Sequence, residues 1–353
     1  MDQQVKPNIR DLSFDKLDKL LSERGEKPFR VKQISEWLWK KHARSFDEMT
    51  NLSKSTRAWL GSEYDIKRVE VAEEQKSEDG TIKSAFKLPD GHIVEGVLIP
   101  AEGRMTACIS SQVGCSLSCA FCATGTMKRM KNLSGYEIYD QVVNIARQAE
   151  KYYDHPLTNI VFMGMGEPLM NFKGMIESIE YLTSEKGLGM SAKRITVSTA
   201  GIARMIKRMA DECPKVNLAL SLHAASEEKR DKIMPINQSN SLDSLAEALS
   251  YYRSKTRANL TYEYIAFKDF NDSIEDAKNL VGFCRKVPAK VNIIEYNPVD
   301  HADFERPSIQ KVDAFAAFLE ANDVRVTIRR SRGKDIDAAC GQLANKNDAV
   351  KKA

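Results

Sequence analysis

The segment "CSLSCAFCATG", residues 115–125, carries Cys115, Cys119 and Cys122 within eight positions of the chain. At this spacing three thiols can converge on one side of a short loop. A structural zinc site usually takes four ligands in two separated pairs, and no second pair of Cys or His stands nearby. Three thiolates on a four-iron cluster leave one iron without a protein ligand, so a small molecule can bind there. The spacing therefore favours an iron–sulfur cluster with an open position over zinc or chance grouping.

The composition is that of an ordinary soluble protein. With 353 residues, of which 42% are hydrophobic, the chain is long enough for one large domain and a smaller companion. No apolar run approaches the roughly 20 residues needed to cross a bilayer. The opening stretch "MDQQVKPNIR" lacks the apolar segment of a signal peptide. We therefore expect a cytoplasmic protein with no membrane partner, in which the seven cysteines indicate metal or redox chemistry rather than structural disulfides.

Positive charge is concentrated in a few stretches, although the net charge is only +4. Residues 1–60 hold thirteen Lys and Arg against nine Asp and Glu. Residues 324–334, "VRVTIRRSRGK", hold five Lys and Arg and no acid, and "KRMK" at 128–131 follows the cysteine loop. Such patches suit a nucleic-acid backbone, because each phosphate contact releases counterions. A solvated surface of mixed charge is the alternative.

Two regions precede the cysteine loop. Residues 1–62 are predicted to be helical, since apolar residues recur at Phe14, Leu17 and Leu20 and continue beyond a break. Residues 63–103 are predicted to be a small β-rich link. Within it "TIKSAFKL", a "PDG" turn and "HIVEGVLIP" have the pattern of a hairpin.

From residue 104 to 334, short β-branched runs alternate with helix-length amphipathic stretches. The six runs are "TACISS" (106–111), "NIVFMG" (159–164), "RITVST" (194–199), "VNLALSL" (216–222), "LTYEYIA" (260–266) and "VNIIEYN" (291–297). The alternation predicts parallel strands with helical crossovers, in an α/β fold. Six units are fewer than the eight of a closed barrel, so we predict an open, partial (β/α)6 barrel, with "VRVTIRR" as a possible edge strand. The cysteine loop follows the first strand, on the face where such barrels carry their active sites.

A C-x3-C-x2-C motif after the first strand of a partial βα barrel resembles the radical S-adenosylmethionine (SAM) superfamily. The resemblance implies that Cys115, Cys119 and Cys122 hold a [4Fe–4S] cluster whose open iron binds the amino and carboxylate groups of SAM. It also implies that an electron from a reductase such as flavodoxin passes through the cluster, and that SAM is cleaved to a 5′-deoxyadenosyl radical.

Further stretches are similar to the RlmN/Cfr family of RNA adenine methyltransferases. They are "SSQVGCSLSCAFCATG" (110–125), "FMGMGEPLMN" (162–171), "VSTAG" (197–201), "LSLHA" (220–224), "MPIN" (234–237) and "DIDAACGQL" (335–343). This resemblance implies an enzyme that methylates carbon 2 of an adenosine near the peptidyl transferase centre of 23S rRNA and of an adenosine in the tRNA anticodon loop. We expect it to act as a monomer. Methylation of carbon 8 of the rRNA adenosine, the Cfr reaction, is the alternative. "GEPL" resembles the RlmN branch more than the "GEAL" of Cfr.

The motif "GMGEP" suggests a SAM contact. Its glycines allow close approach of the backbone, and Glu167 can accept hydrogen bonds from an ammonium group. A plain βα turn with a surface acid is the alternative. By resemblance the SAM-binding residues are Gly166, Glu167, Ser198, Ser221, Leu222, His223 and Asn297. Without the family, a residue such as His223 is more often an ordinary packed histidine, and the serines are more often helix caps.

Two cysteines outside the triplet take their roles from the resemblance. Cys340 stands among small residues in "DAACGQL", which predicts a mobile loop, and the region 335–353 is predicted to be a catalytic-cysteine tail. The family implies that Cys340 is methylated by one SAM, and that the radical from a second SAM takes hydrogen from this methyl group. The resulting carbon radical adds to the adenine. Cys108 then resolves the adduct and forms a transient disulfide with Cys340. Cys213 and Cys284 are expected to be small buried hydrophobes.

Glu95 is a further candidate in "HIVEGVLIP". Strand alternation places it on the face shared with Ile93, Val97 and Ile99, an apolar setting suited to acid–base work. An edge-strand acid facing solvent is the alternative from the sequence. The resemblance implies that Glu95 is the proton acceptor of the reaction.

A hypothesis from another class is a non-catalytic RNA-binding protein with a structural metal. It predicts a colourless zinc protein, whereas the enzyme hypothesis predicts a brown, oxygen-sensitive protein with four irons. An enzyme acting on a base must unstack it. We therefore expect RNA recognition through phosphate contacts and shape, with the N-terminal helices and the two later basic stretches as candidates.

Overall fold

The computed structural model describes residues 6–346. The helices within this range are α1 (Phe14–Glu23), α2 (Phe29–Ser35), α3 (Lys54–Glu63), α4 (Gly135–Tyr153), α5 (Phe172–Thr183), α6 (Ala203–Glu212), α7 (Glu227–Ile233), α8 (Leu242–Lys255), α9 (Ile274–Lys286) and α10 (Ile309–Glu320). A π-helical turn, Glu36–Lys40, continues α2. None of the helices described combines the length and apolar character needed to span a membrane.

The strands begin at residue 70, and they alternate with the helices from α4 onward. They are β1 (Glu70–Lys76), β2 (Ile82–Lys87), β3 (Ile93–Ala101), β4 (Arg104–Cys108), β5 (Gln112–Val113), β6 (Lys131–Asn132), β7 (Asn159–Phe162), β8 (Ile195–Thr199), β9 (Asn217–Ser221), β10 (Leu260–Ala266), β11 (Lys290–Glu295) and β12 (Val326–Arg329). The six predicted runs are β4 and β7 to β11, and the possible edge strand is β12.

One sheet of ten strands organises the molecule, in the order β1-β2-β3-β4-β7-β8-β9-β10-β11-β12. β1 to β4 pair in antiparallel fashion, and every pair from β4 to β12 is parallel. β1 and β12 stand at opposite ends of this order, so the barrel is open. The predicted partial βα barrel is therefore confirmed. Its parallel strands carry the loops that form the site described below.

The predicted hairpin between the helices and the barrel is also confirmed, but it is part of the barrel's sheet. β2 pairs with β3, placing Ala85 opposite Glu95. β3 pairs on its other side with β4, placing Val97 opposite Cys108. β3 is therefore an interior strand with hydrogen-bonded neighbours on both sides. Because of this pairing, the stretch around Glu95 is held in fixed register with the strand that leads to the cysteine loop.

The first helix forms where the sequence places its cap and apolar spacing. The Ser13 hydroxyl accepts a hydrogen bond from the backbone N–H of Lys16, which satisfies one free donor of the first turn. Phe14, Leu17 and Leu21 are buried along one face. The predicted helical period is therefore confirmed in α1.

A buried ion pair joins the N-terminal segment to the barrel. The guanidinium of Arg10 donates to both carboxylate oxygens of Asp140 on α4, at 2.6 and 2.7 Å, and its side chain is 0% exposed. The backbone N–H of Val69 donates to the same carboxylate at 3.1 Å. The guanidinium also lies 4.5 Å from the ring centroid of Trp39 and 5.3 Å from that of Tyr136. The two charges thus pair through both terminal nitrogens of the guanidinium where water is excluded, while Arg10 Nε has no hydrogen-bond partner.

We predict that Arg10→Met lowers the free energy of unfolding by about 3–5 kcal/mol, because it leaves the Asp140 carboxylate buried without its cation. The measurement is equilibrium unfolding in urea. The double variant Arg10→Met/Asp140→Leu removes both charges and should regain much of this loss. A single variant with wild-type stability, or a double variant less stable than the single one, would contradict the prediction.

Candidate active site

A cavity of about 480 Å³ lies against the parallel strands and collects residues from distant parts of the chain. Its wall contains the five cysteines to which chemistry was assigned, namely Cys108, Cys115, Cys119, Cys122 and Cys340. Cys213 and Cys284 are not part of this wall. The fold therefore brings the thiol triplet and the two separate thiols to one place, as the family resemblance requires.

The three-cysteine loop is held closed by tight backbone contacts. The N–H of Cys115 donates to the carbonyl of Met127 at 3.4 Å, which ties the two ends of the loop together. Gly114 has a φ of +74°, and a Cβ atom there would lie 2.2 Å from the carbonyl oxygen of Lys128. Only glycine allows this approach of the two chain segments. The loop geometry therefore depends on a residue just outside the motif.

The environment of the triplet disfavours free thiolates. Burial raises the pKa of Cys115 to about 11. Burial also raises the pKa of Cys119, and the neighbouring Cys122 and Cys115 raise it further. Within residues 6–346, no three His, Cys, Asp or Glu side chains converge as ligands of a single metal ion. Adjacent buried thiols of this kind fit a site whose bound group supplies positive charge, because a metal cluster stabilises several thiolates at once.

Glu167 is buried beside the triplet. It is 3% exposed, and its carboxylate accepts backbone N–H bonds from Ala200 at 2.7 Å and from Leu169 at 3.0 Å. Burial raises its pKa, and these two hydrogen bonds oppose the rise. The alternative of a surface acid is therefore wrong. A buried carboxylate in the cavity wall can accept hydrogen bonds from a cationic group of a ligand.

The ends of β8 and β9 supply further polar groups. The hydroxyls of Ser198 and Ser221 lie 3.4 Å apart, and both residues line the cavity. His223 also lines it, and its Nδ1 accepts from the backbone N–H of Ile265 at 3.1 Å. Burial and the charge of Arg230 lower the pKa of His223 to about 3, so the ring is neutral at physiological pH. His223 is thus both a packed histidine and a residue of the cavity wall.

Two predicted SAM contacts lie outside the cavity wall. Leu222 is fully buried, and its carbonyl accepts from Arg230 Nε at 3.1 Å. The side-chain N–H groups of Asn297 donate to the Ser331 hydroxyl at 2.9 Å and to the carbonyl of Cys340 at 3.5 Å. Asn297 therefore contacts the segment that carries Cys340.

Arg230 is a residue of this region that the sequence did not reveal. Its side chain is fully buried, and the guanidinium donates to the carbonyls of Ala200 and Leu222 and to Asn237 Oδ1, at 2.6, 3.1 and 2.6 Å. These bonds connect the loops after β8 and β9. The stretch "EEKRDKI" has the pattern of a solvated helix, so nothing local signals that one of its cations is buried.

Cys108 and Cys340 line the same cavity. Cys108 ends β4 and is buried, whereas Cys340 is exposed within the cavity. Burial raises the pKa of Cys108, and the nearby Cys340 raises it further. Desolvation by the surrounding cavity wall likewise raises the pKa of the Cys340 thiol, and the guanidinium of Arg329 opposes that rise. Arg329 also donates to the buried Glu263 at 3.2 Å, a pair that the sequence did not reveal.

The segment with Cys340 lies directly on the cysteine loop. The N–H of Ala123 donates to the carbonyl of Gly341 at 2.7 Å. The hydroxyl of Thr124 donates to the carbonyl of Leu343 at 2.6 Å. Cys340 is therefore held beside the triplet by contacts of its neighbours.

Glu95 is buried but does not line the cavity. It is 1% exposed, so the alternative of a solvent-facing edge acid is wrong. Its Oε1 lies 3.7 Å from Lys83 Nζ. Its Oε2 accepts from the backbone N–H groups of Ala344 and Asn345, each at 2.9 Å. The carboxylate thus binds the C-terminal tail in this conformation.

The basic stretch after the cysteine loop is less positive than its sequence indicates. Lys131 Nζ is paired with Asp90 at 2.5 Å and with Glu137 at 2.9 Å. Lys128 and Arg129 are exposed, and no salt bridge is recorded for either of them within the described range. At Lys131 the structure therefore agrees with the mixed-charge alternative, because acids from two other elements pair with this lysine.

Two family models match successive parts of the chain. Residues 109–281 match the family model of the radical SAM superfamily. Residues 7–66 match the model of the ribosomal RNA large subunit methyltransferase N-terminal domain.

Similar proteins cover nearly the whole chain. A probable dual-specificity RNA methyltransferase RlmN of Christiangramia forsetii is 55% identical over 342 residues, 97% of each chain. The dual-specificity RNA methyltransferase RlmN of Pelobacter propionicus is 43% identical over 346 residues, 98% of each chain. The crystal structure of a radical SAM methyltransferase from Sphaerobacter thermophilus has a TM-score of 0.89 at 38% identity, covering 96% of this chain and 99% of that one.

We predict that Gly166→Ala destabilises the protein far more than Gly189→Ala. Both glycines have positive φ, +92° and +64°, so both variants carry backbone strain of about 1 kcal/mol or more. A Cβ at Gly166 would also lie 2.4 Å from Gln112 Cβ, whereas nothing lies within 4 Å at Gly189. The measurement is urea unfolding of both variants, and equal losses would contradict the prediction.

Proposed function

Since the chain belongs to the RlmN family of radical SAM RNA methyltransferases, we propose that it methylates carbon 2 of two kinds of adenosine. One lies near the peptidyl transferase centre of 23S rRNA, and the other lies in the anticodon loop of tRNA. The dual specificity in the names of its relatives supports two RNA substrates. The observation that carries the proposal is the shared cavity, whose wall contains the thiol triplet together with Cys108 and Cys340.

The radical SAM superfamily uses a [4Fe–4S] cluster and SAM. We assign the cluster to Cys115, Cys119 and Cys122, because three adjacent buried thiols need a positively charged partner to become thiolates. When bound, the two groups supply an electron, a methyl group and a carbon-centred radical. A reductase such as flavodoxin is the proposed source of the electron.

The proposed SAM contacts surround the triplet. Glu167 would accept hydrogen bonds from the amino group of SAM, and Gly166 would let the backbone approach it. The other proposed contacts in the cavity wall are Ser198, Ser221 and His223. Leu222 and Asn297 lie behind the wall, and we propose that they position the loop after β9 and the Cys340 segment.

Cys340 is the proposed methyl carrier. Carbon 2 of adenine lies between two ring nitrogens and is electron-poor, so it cannot attack the methyl group of SAM as a nucleophile. The Cys340 sulfur can, once its thiol proton has left. The methyl carbon on Cys340 would then give a hydrogen atom to the 5′-deoxyadenosyl radical and bond to carbon 2. The unpaired electron left on the ring would pass to the oxidised cluster as the proton leaves carbon 2. This order requires the Cys340 sulfur to be accessible from the cavity, which agrees with its exposure there.

Cys108 is the proposed resolving thiol. Its thiolate attacks the Cys340 sulfur, a disulfide forms, and the bond between that sulfur and the transferred carbon breaks. The electron pair of the broken bond stays with the carbon, which takes up a proton as the new methyl group. Glu95 is the proposed acceptor of the proton that leaves carbon 2.

The proposed domains follow the order of the chain. Residues 1–62 form an RNA-binding accessory domain, 63–103 form the β-rich unit with Glu95, 104–334 form the radical SAM core, and 335–353 carry Cys340. Of this last unit, residues 347–353 lie outside the described residues. We propose that the protein acts as a monomer.

RNA is expected to approach beside the cysteine loop. Arg330 and Arg332 line the cavity, and Lys128 and Arg129 are exposed next to the loop. Contacts from these residues to phosphates would hold the RNA while the target base leaves its stack.

We predict that the cluster-loaded enzyme, given SAM, a reductant and protein-free 23S rRNA or tRNA, forms 2-methyladenosine in both. The measurement is nuclease digestion and mass spectrometry against synthetic 2- and 8-methyladenosine. The 8-methyl product would contradict the proposal and support the Cfr reaction. RNA from cells lacking the protein should lack the same nucleoside.

We predict that Cys340→Ala abolishes methylated RNA while iron content stays at about four per chain. Cys108→Ala should instead accumulate a covalent protein–RNA adduct, because no thiol displaces the carbon from Cys340. The measurements are gel shift under denaturing conditions and mass spectrometry of the adduct. Cys213→Ala, outside the cavity wall, is the control and should turn over normally. Methylated RNA from Cys340→Ala would refute the carrier role.

A further inference from the structure

The C-terminal segment that carries Cys340 is anchored at its beginning by the turn between β1 and β2. The Ser77 hydroxyl donates to Asp335 Oδ1 at 2.6 Å. The N–H of Gly333 donates to Asp79 Oδ2 at 2.8 Å. The segment then passes over the cysteine loop, where the bonds of Gly341 and Leu343 described above hold it. Each of these contacts lies before or beside Cys340.

Beyond Cys340 the segment ends on Glu95. The N–H groups of Ala344 and Asn345 both donate to Glu95 Oε2 at 2.9 Å. The side-chain amide of Asn345 donates to the carbonyl of Ile93 at 2.8 Å, on the same strand. Hydrogen bonds from backbone N–H groups to an ionised carboxylate are about twice as strong as neutral ones. Two bonds of this type meet on the single Oε2 atom of Glu95.

In the described conformation, the placement of Glu95 fits docking of the C-terminal tail. Glu95 is 1% exposed and is not part of the cavity wall. Lys83 Nζ, itself buried, lies 3.7 Å from Oε1 and partly balances the charge. The charge of Glu95 also contributes to the raised pKa of Lys346 on the tail. The carboxylate therefore lies among groups of β2, β3 and the tail.

We propose that Glu95 is a positioning residue that docks the C-terminal segment and thereby places the Cys340 sulfur in the cavity for methylation. This rests on the proposed function, because methylation of Cys340 is the step that docking serves. Docking is needed in the first half of the reaction, before any RNA is bound. Loss of RNA methylation in a Glu95 variant therefore does not by itself identify Glu95 as the proton acceptor, because loss of docking would have the same result.

Two variants separate docking from proton transfer. Glu95→Gln keeps a side-chain oxygen that accepts the two N–H bonds but is not basic. Glu95→Ala removes the acceptor altogether. Both are prepared as the anaerobic, cluster-loaded full chain. The first measurement is hydrogen exchange at the amides of residues 344 and 345, without SAM or RNA. The second is the rate at which Cys340 gains a labelled methyl group from SAM, without RNA.

We expect the 344 and 345 amides to exchange at least about tenfold faster in Glu95→Ala, since two charge-assisted bonds are lost. Methylation of Cys340 should slow by a similar factor. Glu95→Gln should keep most of the amide protection and most of the Cys340 methylation. Unchanged protection and methylation in Glu95→Ala would overturn the proposal.

A truncation tests the same docking with Glu95 intact, in case Glu95→Ala folds poorly. A chain ending at Leu343 lacks both donors and should methylate Cys340 as slowly as Glu95→Ala. A chain ending at Lys346 keeps them and is the matched control. Wild-type methylation in the shorter chain would also overturn the proposal. Amide protection is measured without substrate, so failure of docking is distinguishable from failure to form 2-methyladenosine in the wild type.

Discussion

The burial of several acidic groups around one cavity is the constraint on which the rest of the site depends. Cys115 and Cys119 are thiols whose pKa values are raised by burial, and Glu167 is a buried carboxyl beside them. Ionising them together is unfavourable unless a positively charged group lies between them. A cluster and a cationic cofactor meet this requirement, while Arg230 supports the surrounding loops from behind.

The single sheet connects this cavity to the C-terminal segment, whose Cys340 is the proposed methyl carrier. β4 leads into the cysteine loop, and β3 beside it carries Glu95, so the C-terminal segment contacts the loop after one strand and a side chain of the neighbouring strand. The segment is held by hydrogen bonds, by the surface ion pair of Lys346 with Asp300 and by the burial of Ala338, Ala339 and Leu343, and each single hydrogen bond or ion pair is of modest net strength. It can therefore be held in place in one step and released in another, which exchange between Cys108 and Cys340 requires.

The sequence predicted the scaffold well and the partners of individual side chains poorly. The seven barrel strands and the hairpin were found because their apolar patterns are local. The triplet's spacing pointed to its chemistry in the same way. The solvent-facing alternatives for Glu167 and Glu95 were wrong because neighbouring loops and strands cover both acids. Lys131 belongs to a basic stretch of the sequence, but Asp90 and Glu137 pair with it in the fold.

By itself, the sequence determined the alternation of strands and helices, the thiol spacing and the family, since these depend on residues within a few positions of each other. Only the tertiary structure decided that Cys108 and Cys340 share a cavity, that Arg230 is buried, and that Glu95 binds the tail. Glu95 and Ala344 are 249 positions apart. Contacts at such separations arise only when the whole sheet has formed. No local pattern in the sequence encodes which buried groups then become neighbours.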